Sequence, residues 1–496
     1  MPEARSNSPE WPIAQRVRWL REFRNRVAAR RDDLVGLCVE EVHKTPWEAL
    51  SADILPLLSS IKWHERYAGR LLRARTVPGI PWWAVGQRHR VERRPLGTVG
   101  VIATWNYPVQ LLGIQIVQAF AAGNRVVVKP SERSPRTQEL LLSLAHEAGL
   151  PDGYLEWTDA SRDAGSRMLR ERKLDHLVFT GSTAVGREIA RWAVDSLTPT
   201  TLELSGRDSA FVLADTDPVL AARSIWSAAT VNGGQTCMAP RRALVDRSVY
   251  SQFVFALAAL AASAKPRRLI DESAARRVFD LACDACAQGG RSLSGVLEPP
   301  TGDTLTPLAI VDCPEDASLV DGDHFGPALA VVQVDSADHA IEIHRRCDQH
   351  LATSVFTRSR AAARDITGRI GATTVTVNDC LVPTGHPGSS ISGRGLSGWG
   401  ESRGVAGLLA LTRPVHVSST PRLRPSIFAP PPKQAAQFDA IISRFYGPKR
   451  AGATRAGESG PPRPAISLNT DRATTGRAGT LSTDPSTPSN APASRP

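Results

Sequence analysis

Residues Gly97–Glu132 read GTVGVIATWNYPVQLLGIQIVQAFAAGNRVVVKPSE. Gly97–Thr104 is a strand candidate, Leu111–Ala122 suits a helix, and the apolar run Arg125–Val128 suits a buried strand. The same alternation continues downstream. Ser134-Pro135 reads as an N-cap followed by proline at the first helical position, and Gly149 ends that helix. His176–Thr180 (HLVFT) is a further strand, Gly181–Val194 a further helix, and Ser209–Ala214 closes this half. Strands alternating with helices at this spacing predict a parallel sheet covered on both faces.

Working outward, residues 10–75 read as helices, because Trp19, Leu20, Phe23, Val27, Leu34, Leu37, Cys38 and Val42 recur at helical spacing. Ile80–Pro95 changes to Trp, Val and alternating charge and predicts an exposed β-hairpin arm, with Trp82-Trp83 packing on another subunit. A second αβ region runs from Asp217 to about Thr376. It includes a helix at Pro218–Val231 and strands at Arg242–Asp246, Ala328–Val334 and Ser354–Thr357. After Thr420 the composition turns to Pro, Ser, Thr, Ala and Gly. One short helix fits Gln434–Tyr446, and 447–496 reads as disordered.

The chain has 496 residues, 42% of them hydrophobic and 22% charged, a globular balance that supports a large core. Of the net charge of +11, the stretch 421–496 supplies +7, from eleven Lys/Arg against four acids. That tail reads as a solvated basic segment, so nucleic acid is not an expected partner. Seven scattered cysteines, an odd number, do not make a disulfide framework and suit a reducing compartment, the cytoplasm. The Arg-rich N-terminus does not resemble a secretory signal, and no apolar run is long enough for an integral membrane segment.

Five short segments carry chemistry. NGGQTC (Asn232–Cys237) follows a helix and precedes a strand, so Cys237 sits on a loop. A lone cysteine is usually structural; catalysis needs access and an environment that favours thiolate. Gly233-Gly234 would allow close backbone approach. TLELSG (Thr201–Gly206) sets Glu203 in an apolar run, where a carboxylate is either salt-bridged or a general base. TWNYP (Thr104–Pro108) lies at the carboxyl end of a strand, where parallel sheets bind ligands. Asn106 there is a neutral donor for an oxyanion, or a turn residue. VVVKPSE (Val126–Glu132) delivers Lys129 and Glu132 to a carboxyl end, a cation suited to phosphate or ribose and a carboxylate suited to ribose hydroxyls. FTGSTAVG (Phe179–Gly186) is strand, glycine turn and helix N-terminus, the geometry that binds pyrophosphate.

In order and spacing these segments resemble the aldehyde dehydrogenase superfamily over roughly residues 10–415, NGGQTC and TLELSG most specifically. The resemblance implies an α/β fold with a Rossmann-like dinucleotide-binding domain (1–79 and 96–213) and an αβ catalytic domain (214–404). It also implies a β oligomerisation arm (80–95 and 405–420), leaving 421–496 as a mostly disordered tail. The implied activity is oxidation of an aldehyde to a carboxylic acid through a cysteine thiohemiacetal and thioester, with the hydride passed to NAD or NADP. By resemblance Cys237 is the nucleophile, Glu203 the general base and Asn106 part of the oxyanion hole. Lys129 and Glu132 match the adenosine-ribose contacts, and Gly181 and Ser182 the pyrophosphate turn. In DHFGPAL (Asp323–Leu329), Asp323 stands where a glutamate holds the nicotinamide ribose and Phe325 lines the nicotinamide, while Thr104 and Trp105 border the cofactor.

The match departs at Asp323, one methylene short, at Ser205 in place of glycine, at Arg207 in place of lysine, and across Gly385–Ser397, which lacks the family's Pro-Phe-Gly-Gly. Glu132 would repel a 2′-phosphate, which favours NAD; Lys129 leaves NADP open. The Cys/Glu/Asn set weighs against a non-catalytic scaffold that binds a partner through its tail. Glu203, as a base for water, weighs against a coenzyme A-acylating variant. The expected partners are a small aldehyde and further copies of the chain, as homodimer or homotetramer. No metal site is expected: Cys283 and Cys286 form a lone CxxC in a helical pattern. Trp105, Tyr107, Trp226 and Met238 near the motifs favour an aromatic or long apolar aldehyde.

Overall fold

Val126, Val127 and Val128 have no polar face to show to water, so their strand must be covered on both sides. In the computed structural model, which describes residues 11–81, 86–420 and 434–447, it is. Five parallel strands, β1 (Thr98–Ile102), β2 (Arg125–Lys129), β3 (Leu155–Trp157), β4 (His176–Gly181) and β5 (Thr200–Leu204), lie in the order β3-β2-β1-β4-β5. A short strand, Gly398–Trp399, adds antiparallel to β5. Helix α1 (Gln110–Ala122) is buried along its whole length, as its all-round apolar sequence requires. The N-terminal helices Ile13–Ala29 and Leu55–Leu71 pack on it, with Trp19 edge-on to Phe120 at 4.9 Å. Strand order reverses between β1 and β4. In open α/β sheets that reversal leaves a crevice at the carboxyl ends, the usual ligand site.

A second sheet contains β6 (Asp208–Val212), β7 (Pro240–Asp246), β8 (Leu308–Val311), β9 (Ala328–Val334), β10 (Ala352–Phe356) and β11 (Thr374–Val377). Their order is β8-β9-β7-β6-β10-β11, all parallel, with Arg291–Ser292 antiparallel at one edge. The fold is therefore α/β. The segment expected to close the first half at Ser209–Ala214 instead joins this second sheet, between β7 and β10. An apolar run identifies a strand but not its partners, and the crossing occurs earlier, in the three residues Ser205–Arg207. Gly398–Trp399, expected in the catalytic half, pairs in the first sheet.

The arm also differs from a local hairpin. Arg88–Pro95 pairs antiparallel over eight residues with Thr412–Ser419, and Arg75–Thr76 pairs on its other edge. Of the stretch 405–420, residues up to Ala410 are helical (Gly404–Ala410), so the arm begins only at Thr412. Trp82 and Trp83 and the expected disorder of 448–496 fall outside the described residues. Helix Gln434–Phe445 forms where expected, in a unit separate from Met1–Arg422. No described helix is long and apolar enough to cross a membrane.

Candidate active site

Cys237 lies on the loop between helix α2 (Pro218–Thr230) and β7, and that loop is bound on every side. Asn232, Gly233 and Gly234 take left-handed backbone angles (φ +56°, +61° and +69°). At Gly234 a Cβ would stand 2.3 Å from the carbonyl carbon of Gly326, so only glycine fits. The fully buried guanidinium of Arg241 donates to the carbonyl oxygens of Gly234 (2.7 Å), Thr236 (2.8 Å) and Gly326 (3.0 Å). Burial lowers the pKa of that guanidinium to about 10. The Asn232 amide donates to the carbonyls of Asn106 (3.0 Å) and Gln235 (3.1 Å). The Tyr107 and Thr236 hydroxyls meet at 2.5 Å. The Cys237 loop is thereby tied to the TWNYP loop.

That second loop is anchored from below. Asp53, buried and paired with Lys44 (3.1 Å), accepts from the backbone N–H of Val109 and Gln110 at the start of α1. The anchored loop holds Asn106 in place, buried. Its side-chain nitrogen donates to the Gln235 carbonyl (3.1 Å) and its side-chain oxygen accepts from Thr104 (3.3 Å). An amide nitrogen carries two N–H donors, so one stays free for a ligand. Glu203, near the end of β5, is 4% exposed. One carboxylate oxygen accepts from the Ser402 hydroxyl (2.7 Å), and the other has no hydrogen-bond partner among the described residues.

Cys237, Glu203 and Asn106 border one cleft of about 280 Å³. Thr104, Trp105, Gly181, Ser182, Asp323 and Phe325 border it too, at the carboxyl ends of β1, β4 and β5. Ser182 caps helix α3 (Thr183–Ser196), accepting from the Val185 N–H. Phe325 meets Trp105 edge-on at 5.8 Å. The Asp323 carboxylate is largely exposed, 3.8 Å from Arg207, while its backbone oxygen accepts from Arg277 (2.6 Å). Lys129 and Glu132 do not border this cleft. They pair with each other at the end of β2 (2.9 Å). Burial works to raise the Glu132 pKa, but the hydrogen bonds from Lys129 and from its own backbone, together with the charges of Lys129 and Arg162, outweigh it and hold the carboxylate below its ordinary range.

The aldehyde dehydrogenase family model matches residues 1–417. The chain belongs to the aldehyde dehydrogenase family. As such it is an NAD(P)-dependent enzyme that oxidises aldehydes. It is 29% identical to a 4,4′-diapolycopene aldehyde oxidase of Methylomonas sp, over 88% of this chain and 84% of that one. It is 30% identical to the dimeric NADP-preferring aldehyde dehydrogenase of Canis lupus familiaris, over 79% and 87%. Among solved structures it resembles the Mycobacterium tuberculosis aldehyde dehydrogenase complexed with NAD+ (TM-score 0.78, 27% identity, covering 85% and 88%).

Several residues of this aldehyde dehydrogenase's site escape a reading of the sequence. His324 is buried in the cleft wall, and neither ring nitrogen has a hydrogen-bond partner of normal geometry among the described residues. Burial first, then Arg241, Arg207 and Arg277, hold it well below the usual histidine range, so it is neutral. Ser402 reaches Glu203 across 199 residues of chain. Among the described residues, Cys237 alone borders both the 280 Å³ cleft and a second one of about 440 Å³ on its other side, which Tyr107, Met238 and Arg403 also line. Burial and then the charge of Glu203 push the Cys237 thiol up to about 12, against the opposing pull of Arg403 and Arg241. Of the four apolar side chains expected near substrate, Trp105 is on the other side, against Phe325.

Proposed function

We propose that Cys237 is the nucleophile, Glu203 the general base and Asn106 an oxyanion donor. The observation that carries this is their convergence, all three buried, on one cleft at the strand-order reversal, with one Glu203 oxygen unpartnered. The cleft's donor set fits a dinucleotide. Ser182 and the first turn of α3 suit a pyrophosphate, Asp323 suits a ribose hydroxyl, and Phe325, braced edge-on by Trp105, offers an apolar ring for a nicotinamide. Glu132, ionised beside Lys129, accepts from a free 2′-hydroxyl and repels a 2′-phosphate, which supports NAD over NADP.

The chemistry follows from these side chains. Cys237 gives up its thiol proton to solvent, and the sulfur adds to the aldehyde carbon. The free Asn106 N–H, with the backbone N–H of Cys237, donates to the resulting oxyanion. Nicotinamide dinucleotide, when bound, supplies the hydride acceptor. Loss of hydride restores the carbonyl as a thioester on Cys237. Glu203 then takes a proton from water, the hydroxide adds, the C–S bond breaks, and a carboxylic acid leaves with the thiol regenerated.

Formation of NADH or NADPH with an aldehyde panel tests the reading. Cys237→Ala abolishes it; a protein that turns over no aldehyde with either cofactor refutes it. Higher kcat/KM with NADP than with NAD refutes the cofactor assignment. The arm of Arg88–Pro95 and Thr412–Ser419 fits a homodimer or homotetramer, testable by light scattering. Seven cysteines without a disulfide suit the cytoplasm.

A further inference from the structure

The 440 Å³ cleft beside Cys237 does not end at the nucleophile's pocket. A further cleft of about 630 Å³ shares Trp47, Val231, Leu381 and Val382 with it, so the two adjoin at these four side chains. Walls of the inner cleft include Leu55, Pro56, Leu111 and Met238, and Arg403, near the thiol, is the one charged residue among the described residues that line it. Farther out, Glu48 and Arg267 neutralise each other in an ion pair, and Lys265 and Asp379 carry opposite charges. Where the two clefts meet, Trp47 is 68% exposed and Val382 78%. Large apolar side chains left open in a contiguous patch signal something that covers them.

Resting on Cys237 as the nucleophile, we propose that the substrate is an aldehyde with a long apolar chain, seated along this channel from the thiol to Trp47 and Val382. Continuity with the reacting sulfur selects the substrate's own tail as the occupant. At roughly 30 Å³ per water-sized group, the inner cleft of about 440 Å³ seats about fifteen chain atoms, and longer chains continue into the outer one.

The test is kcat/KM for straight-chain aldehydes from propanal to hexadecanal. Burial of each added methylene raises it roughly fourfold up to about tetradecanal. A value that is flat or falling beyond butanal overturns the proposal while leaving the enzyme an aldehyde dehydrogenase. Preference for a short aldehyde ending in a carboxylate, held by Arg403, overturns it in the same way. Turnover of no aldehyde at all means that the reading of Cys237 has failed first. Val382→Asp lowers the hexadecanal-to-hexanal ratio of kcat/KM at least tenfold, and Trp47→Glu does the same if the first variant folds poorly. An unchanged ratio together with a changed oligomeric state assigns this face to another copy of the chain and refutes the channel.

Discussion

Alkylation of Cys237 by iodoacetamide, without cofactor, reads the environment of the thiol directly. The structure pushes that thiol up to about 12. At pH 8 its thiolate fraction is then about 10⁻⁴, against about a quarter for an ordinary thiol near 8.5. That is roughly a 2,000-fold deficit. The more basic thiolate is also more nucleophilic, by about 40-fold over this interval at a Brønsted slope of about 0.45. The net expectation is alkylation about 50-fold slower than that of free cysteine at pH 8, before any effect of access. The sign with pH is fixed. Each unit of rise multiplies the thiolate about tenfold, so the rate climbs from pH 7 to 10 without a plateau. Two variants probe the causes. Glu203→Gln removes the charge that raises the thiol, and alkylation speeds up; Arg403→Met removes an opposing cation, and it slows. Mass spectrometry of the Cys237 peptide against time and pH measures all three. A plateau below pH 9, or a faster Arg403→Met, refutes burial and these charges as the controlling terms.

The remaining expectations concern turnover and folding. Glu203→Gln, blocked at thioester hydrolysis, gives a burst of about one equivalent of NADH and then a steady rate lower by roughly 10²–10⁴, seen by stopped flow; loss of the burst as well contradicts the assigned order of steps. Asn106→Ala lowers kcat by about 10²–10³, and a variant within twofold of wild type removes Asn106 from the oxyanion hole. Gly234→Ala forces a Cβ 2.3 Å from the Gly326 carbonyl carbon at φ +69°, and thermal melts are expected to show a loss of about 3 kcal/mol or more, or no folded protein.

Much of this was legible in the chain because parallel strands buried on both faces are continuous apolar runs. Val126–Val128 and His176–Thr180 are of that kind, and both became strands of the first sheet. Which sheet a strand joins was not legible. Asp208–Val212 was readable as a strand, but its neighbours β7 and β10 are set by pairing across tens to more than a hundred residues. The strands Leu308–Val311 and Thr374–Val377, four residues each, are too short to separate from apolar loop by periodicity. The site divides in the same way. Cys237, Glu203 and Asn106, which the structure brings to one cleft, were singled out by their flanking segments. His324 and Ser402 were not, since their roles depend on neighbours distant in the chain. Arg241 left one signal, two adjacent arginines at the start of an apolar strand, where solvent exposure would be the default reading; both are almost wholly buried.

The crossing between the two sheets also links Glu203, the proposed base, to Cys237, the proposed nucleophile. Glu203 is the penultimate residue of β5, and only Ser205, Gly206 and Arg207 separate β5 from β6 in the other sheet. Midway, the Gly206 N–H donates to the Cys237 carbonyl at 3.3 Å. A Cβ on Gly206 would stand 2.9 Å from that same oxygen and 2.8 Å from the Leu351 Cβ, so the contact requires glycine. Backbone therefore runs from Glu203 to a hydrogen bond on Cys237 in three residues, with no flexible side chain between. Such a link fixes the Glu203 and Cys237 backbones relative to each other across the seam between the two sheets. It also explains how Ser205 can replace a glycine here: its carbonyl is held by the Ser397 hydroxyl at 2.9 Å, while the close approach falls on Gly206, which is retained.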